Sequence, residues 1–448
     1  MITALSWIVL AACTVALLVL GRSRTAVPLG VSVLVGAVLR IGYAALTSRR
    51  YTPNDVASYF QSTGRLVLEG RDPVHDLPHR QWNFLELMPW VHAAELQTGL
   101  PWVYAVKIAP ILCDLVVIVL VARLARSDGP ARALQYAVNP LSLLVVSLHG
   151  QVEPVALALA LGAVVLLRRR WPVLAGVLLG AAVAAKTWPV VILVAVLPLR
   201  RPVVALRILV GAAVVPVLCL LSGVLFLDTD PVHDVLHMTS YSSYVSLWTW
   251  SAVVIQTVDV KGGYDSPVGS VGSLLLLAGV AVTLYLLRRR PPEVRAFGVL
   301  CAALICTAGF STQYLMWVLP WAFLLSGPVR LWFVAASTAW GAVFYLHPFP
   351  EYEQYLRGMS WLPWALLVLL LVEQVRQARV AEVAGAPLGA DRPDGARTAD
   401  PDAVRAETPA GVGPGSAAAE AASGSDRGAP RSRDADPVTA PLALRPPP

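Results

Sequence analysis

Residues 140–201 read PLSLLVVSLHGQVEPVALALALGAVVLLRRRWPVLAGVLLGAAVAAKTWPVVILVAVLPLRR. Four apolar stretches lie along this segment, parted first by His149–Pro154, then by Arg168–Arg170, then by Lys186–Pro189, and closed by Arg200 and Arg201. The apolar runs are continuous rather than alternating. They therefore suit membrane-spanning α-helices, whose backbone polar groups are satisfied within the segment, and not the strands of a barrel. The separators alternate as well: mixed polar residues, then an arginine cluster, then mixed polar residues, then arginines again. A chain crossing a membrane back and forth leaves this pattern, because basic residues collect on the cytoplasmic side.

The rest of the 448 residues follows suit. A soluble chain of this length would form two or three domains. Here 56% of residues are hydrophobic and only 14% charged, against about 25% charged in soluble proteins, and the mean hydropathy is +0.64. The expected fold is an all-α polytopic membrane protein of about 11–13 transmembrane helices. Candidate spans run over 3–20, 26–47, 101–122, 133–149, 152–167, 171–186, 187–199, 203–226, 269–287, 297–310, 313–327, 331–346 and 361–374. With the N-terminus outside, the inner linkers carry Arg22, Arg24, Arg123, Arg126, Arg132, Arg168 to Arg170, Arg200, Arg201, Arg207, Arg288 to Arg290, Arg295 and Arg330. Arg376 and Arg379 follow the last span. The longer outer segments hold only Arg49, Arg50, Arg65, Arg71, Arg80, Lys186, Lys261 and Arg357.

No basic residue precedes the first apolar run, and Arg22 and Arg24 follow it. The first span is therefore expected to be retained and not cleaved as a signal peptide. The net charge of +7 belongs to cytoplasmic linkers and implies no nucleic-acid partner. Cys13, Cys113, Cys219, Cys301 and Cys306 all fall in apolar segments, with neither a disulfide framework nor a metal-ligand spacing. Residues 1–379 form the transmembrane domain. Residues 380–448 are rich in Ala, Pro, Gly, Asp and Arg and lack aromatic residues; the composition predicts a disordered cytoplasmic tail.

Chemistry is expected on the outer side, where 48–100, 227–268 and 347–360 contain acids, histidines and aromatics. In the first of these, Pro53 and Asn54 predict a helix start, with Asp55 and Tyr59 on one helical face at i and i+4. Asp55 reads as a helix cap, worth about 1 kcal/mol, or as a functional carboxylate. His149, Gln151 and Glu153 stand together at an outer membrane boundary, where an ionisable group is costly. Lys186 reads either as a snorkelling anchor beside Trp188 or as a phosphate contact. Ser311, Thr312, Gln313 and Tyr314 form a further polar patch. Arg40 and Asp114 fall within spans; each costs about 2.5–3.5 kcal/mol at mid-bilayer if unpaired, and the two could pair. No phosphate-binding glycine loop or Ser-His-Asp set is present, and no cytoplasmic linker between spans carries an Asp-x-Asp metal signature.

The order of these features resembles the GT-C glycosyltransferases. Asp55-x-x-x-Tyr59 is followed by Glu69-Gly70-Arg71-Asp72-Pro73, then Gly150-Gln151-Val152-Glu153. Next come a span carrying Gly176 and Gly180, Lys186-x-x-Pro189, and Phe310-Ser311-Thr312-Gln313-Tyr314-x-x-Trp317-x-x-Pro320. Over roughly residues 25–370 the chain is similar to the family 87 polyprenyl-phosphate-mannose-dependent α-mannosyltransferases of actinobacteria and to the GPI mannosyltransferase-like group. The resemblance implies an inverting transferase of the cytoplasmic membrane. It would move a sugar, by similarity mannose, from a polyprenyl-phosphate carrier to a lipid or glycan acceptor outside, with no cofactor. It implies Asp55 as general base, with Tyr59, His149, Gln151, Glu153, Lys186, Gln313 and Tyr314 at the substrates. Apart from the resemblance, aromatic content and outer placement alone suggest the loop carrying Tyr241, Tyr244 and Trp248 as a help in docking the acceptor. Glu153 departs from the family pattern, in which Asn is frequent at that place. The alternative is a transporter or flippase for a lipid-linked sugar, which would place its polar groups near the bilayer midplane.

Overall fold

The computed structural model describes residues 1–23, 25–77, 82, 84–230, 232, 250, 267–308, 312–325, 327–347 and 351–383. All belong to one compact unit, Met1–Ala390. No strand occurs among the described residues. The helices are α1 (Ile2–Ser23), α2 (Leu29–Thr47), α3 (Gln61–Leu68), α4 (Leu87–Leu96), α5 (Trp102–Ala105), α6 (Ile108–Leu124), α7 (Gly129–Ala137), α8 (Pro140–Ser142), α9 (Glu153–Arg168), α10 (Pro172–Ala185), α11 (Val190–Val196), α12 (Pro202–Phe226), α13 (Pro267–Leu286), α14 (Pro292–Cys306), α15 (Leu319–Ala322), α16 (Val329–Leu346), α17 (Glu353–Met359) and α18 (Trp361–Val383). Six segments are long and apolar enough to cross a membrane unaided: α1, α2, Trp102–Leu124, α12, α16 and Tyr355–Val380. Outward faces such as Ile8, Val15, Leu34, Val38, Leu206, Val210, Leu274 and Leu277 are exposed. An apolar surface of this extent belongs in lipid, and the chain is a multi-pass membrane protein.

Most of the expected spans coincide with helices, with three differences. The span expected at 187–199 contains only seven helical residues, Val190–Val196, roughly 10 Å at 1.5 Å per residue. The span expected at 313–327 becomes a 3₁₀ segment, Thr312–Trp317, followed by the single turn α15. The span expected at 133–149 is broken at Asn139–Pro140, where Asn139 caps α8 through the Leu141 amide (3.0 Å). The last helix continues to Val383, past the expected boundary at 379; the rest of the expected tail lies outside the described residues.

The break at Pro140 explains the two charges buried in spans. It frees carbonyls at the end of α7, and Arg40 Nη1 donates to Ala137 O at 2.7 Å. Arg40 Nε pairs with Asp114 Oδ2 at 2.5 Å, and both residues are fully buried. Tyr136 Oη and Ser142 Oγ each donate to Asp114 at 2.6 Å. The pair is thus hydrogen-bonded on all sides, as a buried charge pair must be if it is not to be a net penalty. It fastens α2, α6 and the α7–α8 break together. Elsewhere the helices meet through small residues: a β-carbon at Gly176 or Gly180 would run into the backbone of Ile208 or Ala212 on α12, and one at Gly211 into Val173 on α10. Close approach of this kind replaces the hydrophobic effect as the force between helices in lipid. It gives the glycine-bearing span a packing role.

The polar ends separate. The C-terminal ends of α6 and α9 meet the start of α14 where Arg168 donates to Leu124 O (3.1 Å) and pairs with Glu293. The opposite ends of α9 and α10 carry Glu153 and Lys186.

Candidate active site

Two π-helical turns build the site. Asp55–Phe60 forms the first, leading into α3, and Leu143–His149 the second, following α8. A π-turn widens the helix and recurs at functional positions because it re-aims side chains and leaves backbone groups for other partners. In the first turn the Val56 carbonyl accepts the Trp102 indole N–H (2.8 Å), and Phe60 stacks on His92 (5.0 Å between centroids). In the second, Lys107 Nζ donates to the carbonyls of Ser147 (2.6 Å) and Leu148 (2.7 Å) and to Ser48 Oγ (2.7 Å). Gly150 then turns the chain at φ 86°, a left-handed conformation that favours glycine. The turn brings Gln151 back beside His149.

These two turns and the end of α10 converge on one network. His149 Nε2 lies 2.8 and 2.9 Å from the two Asp55 carboxylate oxygens, and Gln151 Nε2 donates to Asp55 Oδ2. A carboxylate requires a donor, so His149 Nε2 carries a hydrogen. The 2.8 Å approach of Gln151 Nε2 to His149 Nε2 is then a contact between two donors that share the carboxylate. Tyr345 Oη lies 2.7 Å from His149 Nδ1 and fixes the ring from behind. Lys186 Nζ donates to Glu153 Oε1 at 2.6 Å and reaches Gln151 Oε1 at 3.5 Å. It also sits 5.4 Å from the centre of the Phe84 ring. Glu153 is fully buried, and its Oε2 has no hydrogen-bond partner. The line Tyr345–His149–Asp55–Gln151–Lys186–Glu153 is continuous.

Asp55 is more open than the groups that hold it, with 27% of its side chain exposed against 5% for His149 and 8% for Lys186. Burial pushes its pKa up, but His149 (by charge and hydrogen bond), the Lys186 charge and the Val56 amide (3.0 Å) together outweigh that and hold the carboxyl below its ordinary range. An ionised oxygen reachable from outside can accept a proton from a substrate hydroxyl.

Asp55, His149, Gln151, Glu153 and Lys186, expected from sequence, are therefore brought together. Asn54, at the N-cap, makes no side-chain capping bond, while the Asp55 carboxylate accepts the Val56 amide of the first turn (3.0 Å) besides the His149 and Gln151 side chains. The Tyr59 hydroxyl accepts instead from Asn54 Nδ2 (3.3 Å), five positions back, as the i, i+5 register of a π-turn places it. Tyr314 tilts against Trp317 (4.4 Å), which stacks on Trp188 (4.7 Å), two residues after Lys186. Gln313 lies in the same 3₁₀ segment. Asp72 closes a local turn by accepting the amides of Val74 (2.7 Å) and His75 (3.0 Å). Ser311, Tyr241, Tyr244 and Trp248 lie outside the described residues. Sequence reasoning missed Tyr345, which looks like any aromatic at a span end. It also missed Lys107, whose one signal was a lysine inside an apolar run. Among the described residues no group of His, Cys, Asp or Glu is arranged to hold a metal.

No curated protein matches the chain. The model of glycosyltransferase family 87 matches residues 84–312, a stretch that contains His149, Gln151, Glu153 and Lys186 and begins after Asp55. This match covers half of the chain, on an all-helical membrane fold, and the protein belongs to glycosyltransferase family 87, of the GT-C type.

Proposed function

We propose that this glycosyltransferase moves a sugar from a polyprenyl-phosphate carrier to a hydroxyl of a lipid or glycan acceptor, with inversion, on the outer face of the cytoplasmic membrane. The observation that carries the reading is the partly exposed, ionised Asp55 carboxylate, oriented by His149 and Gln151 and one amide link away from the Lys186 ammonium. The acceptor hydroxyl oxygen attacks the anomeric carbon and its proton passes to Asp55. The bond from that carbon to the phosphate oxygen breaks, and the polyprenyl phosphate leaves as an anion. Lys186 supplies the positive charge for the leaving phosphate. The Tyr314–Trp317–Trp188 wall beside it suits the flat, apolar face of a sugar ring or the start of a prenyl chain. Mannose follows from the likeness to actinobacterial mannosyltransferases. The outer placement follows from the arginine distribution, with the N-terminus outside.

The test is transfer of radiolabelled mannose from polyprenyl-phosphate-mannose to a native lipid extract, in membranes containing equal amounts of wild type and Asp55→Asn. Wild type transfers label and Asp55→Asn loses about 10²–10⁴-fold, the usual contribution of a general base. Equal transfer by both removes Asp55 from the chemistry. If neither transfers label while another polyprenyl-phosphate sugar does serve, mannose is the wrong sugar.

A further inference from the structure

At the end of the bundle away from Asp55, α1, α7 and the start of α16 enclose a cavity of about 350 Å³. Its polar lining is Arg22, Ser127, Asp128, Arg132, Gln135 and Arg330, and its apolar wall includes Leu18, Leu331 and Trp332. Arg132 Nη1 (3.3 Å) and Arg330 Nη2 (2.9 Å) both donate to the one carboxamide oxygen of Gln135, whose Nε2 is tied to Leu20 O (3.1 Å). Two buried guanidinium groups thus meet at one neutral acceptor, and Arg330 Nη1 also donates to Gly327 O. The only acid in the lining is Asp128, 3.2 Å from Arg132 and one-third exposed. Glu373 approaches from behind Gly327. Arg22, exposed, lines the same cavity as the buried Arg132 and Arg330. Trp332 is 54% exposed at the rim, as aromatic residues are at the level of lipid headgroups.

We infer that this cavity binds the phosphate of an anionic phospholipid, with Arg22, Arg132 and Arg330 around the phosphate and the acyl chains lying along the Leu18–Leu331–Trp332 wall. Guanidinium forks match phosphate geometry, and basic hollows between membrane helices take anionic headgroups. The site is independent of the sugar-transfer reading, since none of its residues belongs to the Asp55 network.

The experiment uses the full chain, purified and delipidated in a neutral detergent. Binding of phosphatidylglycerol and phosphatidylcholine is titrated by native mass spectrometry, with inorganic phosphate as competitor. Wild type should prefer phosphatidylglycerol by tenfold or more. Arg22→Gln, at an exposed position, should lose about fivefold of that preference, the usual contribution of one basic residue. Arg22→Gln combined with Arg132→Gln should abolish it. Arg200→Gln, an exposed arginine outside the cavity, should leave it unchanged. Equal binding of the two lipids by wild type, or an equal loss in Arg200→Gln, overturns the site. Displacement of bound phosphatidylglycerol by millimolar inorganic phosphate shows a soluble phosphate to be the ligand and overturns the lipid assignment.

Discussion

Glu153 and Lys186 offer the sharpest quantitative test of the site. Their 2.6 Å pair is almost wholly buried, and at an effective dielectric of 20 the attraction is about 6 kcal/mol. Desolvation of two ions offsets most of that, so replacing both by uncharged groups costs little, whereas removing one partner typically costs about 3–5 kcal/mol. Glu153→Gln leaves Lys186 with Gln151 and the more distant Asp55, which puts its loss at the lower end, about 3 kcal/mol. Lys186→Met leaves Glu153 with one oxygen newly bare and the other already without a partner; its loss falls at the upper end, about 5 kcal/mol. The double variant should be more stable than either single one, with a coupling of at least about 2 kcal/mol. Equilibrium unfolding of the four proteins in mixed micelles measures this cycle. Strictly additive losses, or a Glu153→Gln protein within about 1 kcal/mol of wild type, would refute the buried-pair argument.

Three further outcomes are expected. Asp55 has a folded pKa below its unfolded one, so the stability it contributes is complete above the unfolded value and is lost as pH falls through the lower folded value; acid unfolding of Asp55→Asn should lack that portion of the pH dependence, and an unchanged profile would contradict it. Arg40→Met should destabilise by about 3–5 kcal/mol and be partly rescued by adding Asp114→Asn, as read by unfolding in micelles; a harmless Arg40→Met would mean that the Ala137 carbonyl and Asp114 need no such partner. Gly180→Leu should separate α10 from α12 and abolish a stable, monodisperse protein in gel filtration, while Gly30→Ala, where a β-carbon meets nothing within 4 Å, should behave as wild type.

The helical membrane fold was legible because it depends on composition and on the length of apolar runs, both local quantities. The separators were legible for the same reason: His149, Gln151, Glu153 and Lys186 are polar groups at apolar boundaries, whose placement there is costly without a role. The sequence by itself therefore determined a multi-pass bundle, most of its helices and the residue types available at one rim. It could not show that 187–199 and 313–327 are short and irregular, because hydropathy records burial from water and does not distinguish a lipid-spanning helix from a segment enclosed by other helices. Only the tertiary structure decided the partners. Tyr345 reaches His149 across 196 positions, and Asp55 reaches it across 94. Arg40 finds Asp114 across 74. The π-turns that aim Asp55 and His149 depend on Trp102 and Lys107 from other segments. Such contacts form only when the bundle closes, since a hydrogen bond is fixed by distance and direction in space, which no spacing along the chain specifies.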